Sequence, residues 1–242
     1  MRDIDFTTLT FRASSLGKLM TNSRQKKDIL SVTAKTELQE VHKQLLFGYR
    51  KDIQTLPMKK GILVEDDAIA LVSSLHERDI SDPYVKNSER FHNEYIQGEP
   101  DVYIKDEILF DIKNSYTLST FPMYYTGDVY TYNKDYYWQL QGYMWLTNMK
   151  KATLVRCLMN TPEDVLEGVR YKAARDLGVL DLPVEVEEEI LRQHTFDEYP
   201  KTLRVVEMPV ELNEEHIEQL KERIAHCREY LNLLSNHLSN KI

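Results

Sequence analysis

Gly98-Glu99-Pro100-Asp101-Val102-Tyr103-Ile104-Lys105-Asp106-Glu107-Ile108-Leu109-Phe110-Asp111-Ile112-Lys113 decides the reading of this chain. Residues 102–104 and 108–113 are apolar and β-branched, and Lys105-Asp106-Glu107 between them reads as the turn of an antiparallel pair. On a strand, alternate side chains share a face, so Asp111 and Lys113 project together while Ile112 points into the core. Asp101, at the mouth of the preceding strand, comes beside Asp111 through the short turn. Asp111-Ile112-Lys113 is the only acid-x-Lys triplet in the chain.

Outward from this hairpin the elements alternate. Helices are expected over 14–24 (behind a Ser cap), 31–47 (with Val41, Leu45 and Leu46 on its apolar stripe) and 61–77. In the last, Ile62, Glu65, Ile69 and Val72 fall on one side at spacings of three and four. A glutamate in line with an apolar stripe is unusual for a merely solvated acid. Residues 114–135 read as a long Tyr/Ser/Thr loop, 135–148 as a helix and 152–159 as a buried strand. Thr161-Pro162-Glu163 reads as the start of a helix reaching Gly178, with Thr161 as the cap. A helix over 183–194, a strand over 203–210 at a sheet edge and a long helix over 213–238 complete the order. The expected fold is α/β: one mixed central sheet flanked by helices, with a C-terminal helical extension. The expected organisation is a single domain over 1–242, with a basic helical part (1–60), a core (61–160) and an acidic C-terminal part (161–242).

The chain has 242 residues, a net charge of −8 and 42% hydrophobic residues, an ordinary globular composition. No uncharged stretch is long enough for a membrane span, and MRDIDF shows no apolar signal core. Cys157 and Cys227 are the only cysteines, too few for a disulfide framework or a four-thiolate cluster. A reducing, cytoplasmic setting is the expectation. The charge is uneven: residues 1–60 carry a balance of +6 and the remainder −14. An asymmetric chain can still present a local basic surface to phosphate, although a solvated basic helix face is the plainer reading of the charge alone.

The site chemistry follows from residue types. Hard divalent cations take oxygen ligands, and crowded carboxylates repel until such a cation removes the penalty. A nearby ammonium stabilises a phosphorus centre gaining charge. Asp101, Asp111 and Glu65 supply the carboxylates, the Ile112 carbonyl a fourth oxygen and Lys113 the ammonium. Asp66 is the nearest rival to Glu65. Eight of the 15 Tyr lie within 114–143, where they either stack on unpaired bases or pack the loop onto the domain.

Asp101 and, after nine intervening residues, Asp111-Ile112-Lys113 resemble the PD-(D/E)xK nuclease signature. Tyr137-Trp138-Gln139-Leu140-Gln141-Gly142-Tyr143-Met144-Trp145-Leu146-Thr147 resembles the Gln-bearing helix of the phage lambda exonuclease and YqaJ-type viral recombinases. Lys60-Gly61-x-x-x-Glu65-x-x-Ala68 is similar to that family's upstream acidic helix, and Arg12-Ala13-Ser14-Ser15 to its Arg/Ser element for a DNA 5′-phosphate. These matches stand in family order over residues 12–147.

The resemblance implies a restriction-endonuclease-like core and a DNA exonuclease. It would resect linear duplex ends 5′ to 3′ for phage or prophage recombination and leave 5′-phosphates. Asp101, Asp111, Glu65 and the Ile112 carbonyl would hold Mg²⁺, with Mn²⁺ as substitute. Lys113 would act on the water and the phosphate, and Gln139, rather than Gln141, would hold the Lys113 side or a water. Tyr143 would buttress the helix, and Arg12 and Ser15 would take a phosphate, although Ser14 or Ser15 equally suits a helix cap. A single-strand annealing protein and a ring-shaped homotrimer are the partners the resemblance allows. The rival readings are an endonuclease on the same fold and a DNA-end-binding protein without catalysis.

Overall fold

The computed structural model describes residues 4–25, 27–49 and 54–240. Arg2, Lys26, Arg50 and Lys51 of the basic N-terminal stretch lie outside them. The elements run β1 (Phe11–Arg12), α1 (Leu16–Leu19), α2 (Val32–Phe47), α3 (Leu56–Leu63), α4 (Glu65–Leu75), β2 (Phe91–His92), β3 (Ile96–Gly98), β4 (Val102–Ile104) and β5 (Ile108–Asn114). Then follow α5 (Val129–Tyr132), α6 (Lys134–Thr147), β6 (Lys151–Cys157), α7 (Glu163–Leu177), α8 (Val184–His194), β7 (Val205–Glu211) and α9 (Glu214–Ser239).

The central sheet has the order β4-β5-β6-β7. β4 and β5 are antiparallel, β5 and β6 parallel, and β6 and β7 antiparallel, so the sheet is mixed and β7 is an edge strand. Its two faces separate cleanly. Leu109, Leu154 and Met208 pack with Leu140 and Met144 of α6, and α9 lays Leu220, Ile224, Cys227 and Leu231 into the same core. Phe110, Ile112, Val155 and Cys157 pack on the other face with Ala68, Ile69 and Val72 of α4. Burial of such side chains stabilises the fold by roughly 1.5–3 kcal/mol each. The expected α/β architecture is therefore present.

A second, three-stranded sheet, ordered β1-β3-β2, was not foreseen. Its strands have only two or three residues, too short to show an alternation. β1 pairs in parallel with β3, Phe11 opposite Ile96 and Arg12 opposite Gln97, which brings the N-terminal arginine to the entrance of the Gly98–Asp101 turn. Gly17 permits the close approach of α1 to α6: a Cβ there would stand 2.3 Å from the Asp135 Cα.

Three local expectations are corrected. The helix over 61–77 is two helices that break at Val64, whose own side chain is buried. Ile62 therefore leaves the stripe and is 60% exposed, while Glu65 opens α4 at its N-terminus. Thr161 does not cap α7. Pro162 precedes that helix without a side-chain cap, and the Thr161 hydroxyl bonds His194 Nδ1 at 2.8 Å instead. The helix over 14–24 shrinks to α1 behind a single 3₁₀ turn, Ala13–Ser15, and neither Ser14 nor Ser15 caps a helix through its side chain.

Most of the tyrosines in 114–143 pack against the domain. Tyr125 bonds the Asp128 carbonyl at 2.8 Å, and Tyr130 meets Tyr137 edge to face. Tyr124, 91% exposed, is the exception.

Candidate active site

β5 carries the centre. Asp111 is fully buried, and Lys113, two residues on and on the same face, donates from Nζ to Asp111 Oδ1 at 2.7 Å. α6 crosses above. Its Gln139 Nε2 donates to the same oxygen at 3.1 Å and to the Tyr143 hydroxyl at 2.9 Å, the second bond following from the one-turn spacing along the helix. The rival Gln141 is a structural clamp, bonding the Glu211 carbonyl and accepting from the Asn213 N–H at the junction of β7 and α9.

Asp101 arrives from the turn between β3 and β4. Its Oδ2 accepts from the Ile112 N–H at 2.6 Å, so it lies against the strand that bears Asp111 and Lys113. The turn is itself pinned: Asn87 donates its N–H to the Asp101 carbonyl at 2.8 Å and its side-chain amide to the Pro100 carbonyl at 3.0 Å. One residue earlier on that segment, Lys86 donates to Glu65 Oε2 at 2.8 Å. Glu65 lies near enough for its charge to act on Asp101, but its carboxylate is engaged by Lys86. Among the described residues, no three His, Cys, Asp or Glu side chains form a ready-made metal cage.

The electrostatics are those of crowded acids around one ammonium. Burial, and then the neighbouring Asp111 charge, push Asp101 above the usual carboxylate range despite the Lys113 ammonium and the Ile112 N–H. Burial works against the charge on Lys113, yet the Asp111 and Asp101 carboxylates outweigh it and hold the ammonium above its ordinary range. Lys113 is therefore a fixed cation rather than a proton acceptor near neutrality. The second Asp111 oxygen, Oδ2, is buried without any hydrogen-bond partner. Buried carboxylate oxygens are seldom left so, and a hard divalent cation would suit such an oxygen together with the adjacent Asp101.

The N-terminal element lies beside this centre. Arg12, Ser14, Arg90, Gln97, Gly98, Glu99 and Tyr143 line a cleft of about 230 Å³. Gly98 is required there, since a Cβ would stand 2.6 Å from the Tyr143 ring. Ser15 spends its hydroxyl hydrogen on the Arg12 carbonyl at 2.9 Å, which shapes the turn, whereas Ser14 faces the cleft with Arg12. Arg90, Lys86 and Arg156 were not singled out from the sequence. Arg90 and Lys86 lie in an irregular segment with no pattern. Arg156 offered one signal, a charge inside the otherwise apolar run Leu154–Met159.

No family model and no curated protein matches the chain. Solved structures do. A phage-related exonuclease from Haemophilus somnus 129PT is 26% identical, with a TM-score of 0.78 over 96% of this chain and 97% of that one. LHK-Exo, an alkaline exonuclease from Laribacter hongkongensis, has a TM-score of 0.61 at 15% identity, over 96% of this chain and 92% of that one. The same protein in complex with dAMP gives 0.60 at 16% identity, with the same coverage. The fold that the resemblance implies is borne out: the chain is similar over nearly its whole length to phage-related and alkaline exonucleases, which is consistent with the lambda-exonuclease/YqaJ-type resemblance read from its motifs.

Proposed function

We propose that the chain is a divalent-metal-dependent DNA exonuclease that hydrolyses linear duplex from 5′ ends and leaves 5′-phosphates. The observation that carries this reading is the Asp111 carboxylate. One of its oxygens is held by Lys113 and Gln139, the other is buried and unpartnered, and Asp101 lies against the same strand. The likeness to the Haemophilus somnus phage-related exonuclease, over nearly its whole length, supports the exonuclease part of this reading; the metal, the 5′ polarity, the 5′-phosphate products and a phage recombination role follow from the resemblance in the motifs.

Asp101, Asp111 and the Ile112 carbonyl would hold Mg²⁺ or Mn²⁺, with Glu65 joining on release from Lys86. The ion would supply charge neutralisation at the phosphate and a more acidic water. Lys113, held protonated, donates to the attacking water or to a non-bridging phosphate oxygen and stabilises the charge that develops there. Gln139 keeps the Asp111 carboxylate in one rotamer, and Tyr143, bonded to Gln139 and packed on Gly98, fixes the helix over the strand. Arg12 and Ser14, with Ser15 shaping their turn, receive the terminal phosphate in the cleft beside Gly98.

The test is end-labelled linear duplex, with and without a 5′-phosphate, beside a covalently closed circle, all in Mg²⁺. The expected result is digestion of the linear duplex from its 5′ ends and an intact circle. Cutting of the circle would establish the endonuclease reading instead. Arg12→Ala should slow digestion of phosphorylated ends about tenfold, the order of one charge-assisted contact, and leave hydroxyl ends nearly unchanged. Equal loss on both would remove Arg12 from end recognition.

A further inference from the structure

The C-terminal end of β6 carries a cation that this chemistry does not use. Arg156 is the register partner of Lys113 across the parallel β5–β6 pair, so both side chains leave the same face of the sheet. Arg156 is only 7% exposed. One of its terminal nitrogens donates to Ser115 Oγ at 2.7 Å and the other to the Tyr136 hydroxyl at 3.4 Å. The Tyr132 and Tyr136 rings lie 5.9 and 5.8 Å from its Cζ, and the Tyr136 ring is also 5.8 Å from Lys113 Nζ.

What is missing is a counter-charge. Arg156 Nε is buried with no hydrogen-bond partner. Among the described residues, no carboxylate lies within ion-pair distance of the guanidinium, whereas the neighbouring Lys113 is balanced by Asp111. A guanidinium keeps its charge in proteins, and a buried unpaired charge is strongly disfavoured. The group that resolves both deficits is an anion with several acceptor oxygens, and the fork of an arginine matches a phosphate.

We propose that Arg156 is a phosphate-binding residue of the active site, receiving the DNA phosphodiester adjacent to the one that faces Lys113. Neighbouring strands stand about 4.8 Å apart, so the two cations address one stretch of backbone. Tyr136, between them, borders the path of the strand. The inference rests on the nuclease reading of the same centre.

The test is Arg156→Met, followed by equilibrium binding of a 5′-phosphorylated duplex in EDTA over a series of salt concentrations, by steady-state cleavage in Mg²⁺ and by thermal melting. Binding should weaken about tenfold, and the slope of log K against log salt should shrink by about 0.9, the signature of one lost phosphate contact. KM should rise more than kcat falls. The Tm should hold or increase, since an unpaired buried cation has become an apolar side chain of similar length. Arg156→Lys should recover part of the slope. A lower Tm with an unchanged slope would show a merely structural arginine and overturn the proposal. Should Arg156→Met not fold, Arg156→Gln, which can still bond Ser115, carries the same salt test, and a wild-type slope overturns it. A wild-type protein that neither binds nor cuts DNA sinks the nuclease reading itself. A wild-type protein that cuts, beside an Arg156→Met variant with unchanged slope and KM, sinks the arginine assignment alone.

Discussion

Lys113→Met should cut linear duplex about a thousandfold more slowly than the wild-type protein in Mg²⁺ while retaining its fold. Removing one preorganised donor from a site of developing charge costs about 10²–10³ in rate, and Lys113 is the cation bonded directly to Asp111 within the cluster. The side chain is 25% exposed and the strand beneath it is held by five register pairs with β6, so the backbone does not depend on the ammonium. Stability should still fall, because Asp111 and Asp101 lose the charge that offsets their mutual repulsion, and breaking such a pair from one side costs about 3–5 kcal/mol when it is fully buried. Circular dichroism and melting separate the two effects. A variant that melts a few degrees lower, keeps its spectrum and has lost cleavage is the expected outcome. Digestion at the wild-type rate would remove Lys113 from the chemistry.

Lys60→Met should raise stability at neutral pH and flatten its dependence on pH. Lys60 has no exposed surface. Its Nζ bonds the Tyr116 carbonyl at 2.9 Å and stands 5.5 Å from the centroid of the Phe196 ring. Burial pushes this ammonium down to about 7. Between that value and the ordinary lysine value the unfolded chain binds a proton that the native chain does not. Acidification through this window therefore favours unfolding, and stability rises with pH from about 7 toward 10. His194 is pushed down to about 4 by burial and then by the Lys60 charge, and adds a second rise between about pH 4 and 6.5. Each tenfold change in proton affinity on folding is worth about 1.4 kcal/mol, so the lysine accounts for a few kcal/mol. Methionine is similar in length and has no charge to desolvate, so its Tm at pH 7 should exceed the wild-type value by several degrees, with the gap closing toward pH 10. A variant that melts below the wild type by the same margin at every pH would show that the Tyr116 bond outweighs the buried charge.

The hairpin and its acid-x-Lys triplet were legible because a strand's two-residue period places Asp111 and Lys113 together from sequence alone. Gln139 was legible through its four-residue spacing to Tyr143, which the structure turns into two hydrogen bonds from one amide. The features without a sequence signal depend on distant partners. β1 and β3 are two and three residues long and pair across more than eighty positions, so neither has a local pattern. The break at Val64 is set by packing of its buried side chain and carries no proline to announce it. The ion pair between Lys86 and Glu65 joins an irregular segment to a helix start, a contact no pattern encodes. Arg156 acquires meaning only from the strand register that sets it beside Lys113.

The proposed chemistry requires that the buried Asp111 oxygen without a partner, together with Asp101, accepts a divalent cation. Titration of Mn²⁺ into the metal-free protein, followed by the loss of the free ion's electron paramagnetic resonance signal, measures this directly. The expected result is saturable binding at neutral pH that Mg²⁺ competes away and that Asp111→Asn abolishes while the protein stays folded. Undiminished Mn²⁺ binding in Asp111→Asn, or none in the wild-type protein, would contradict it.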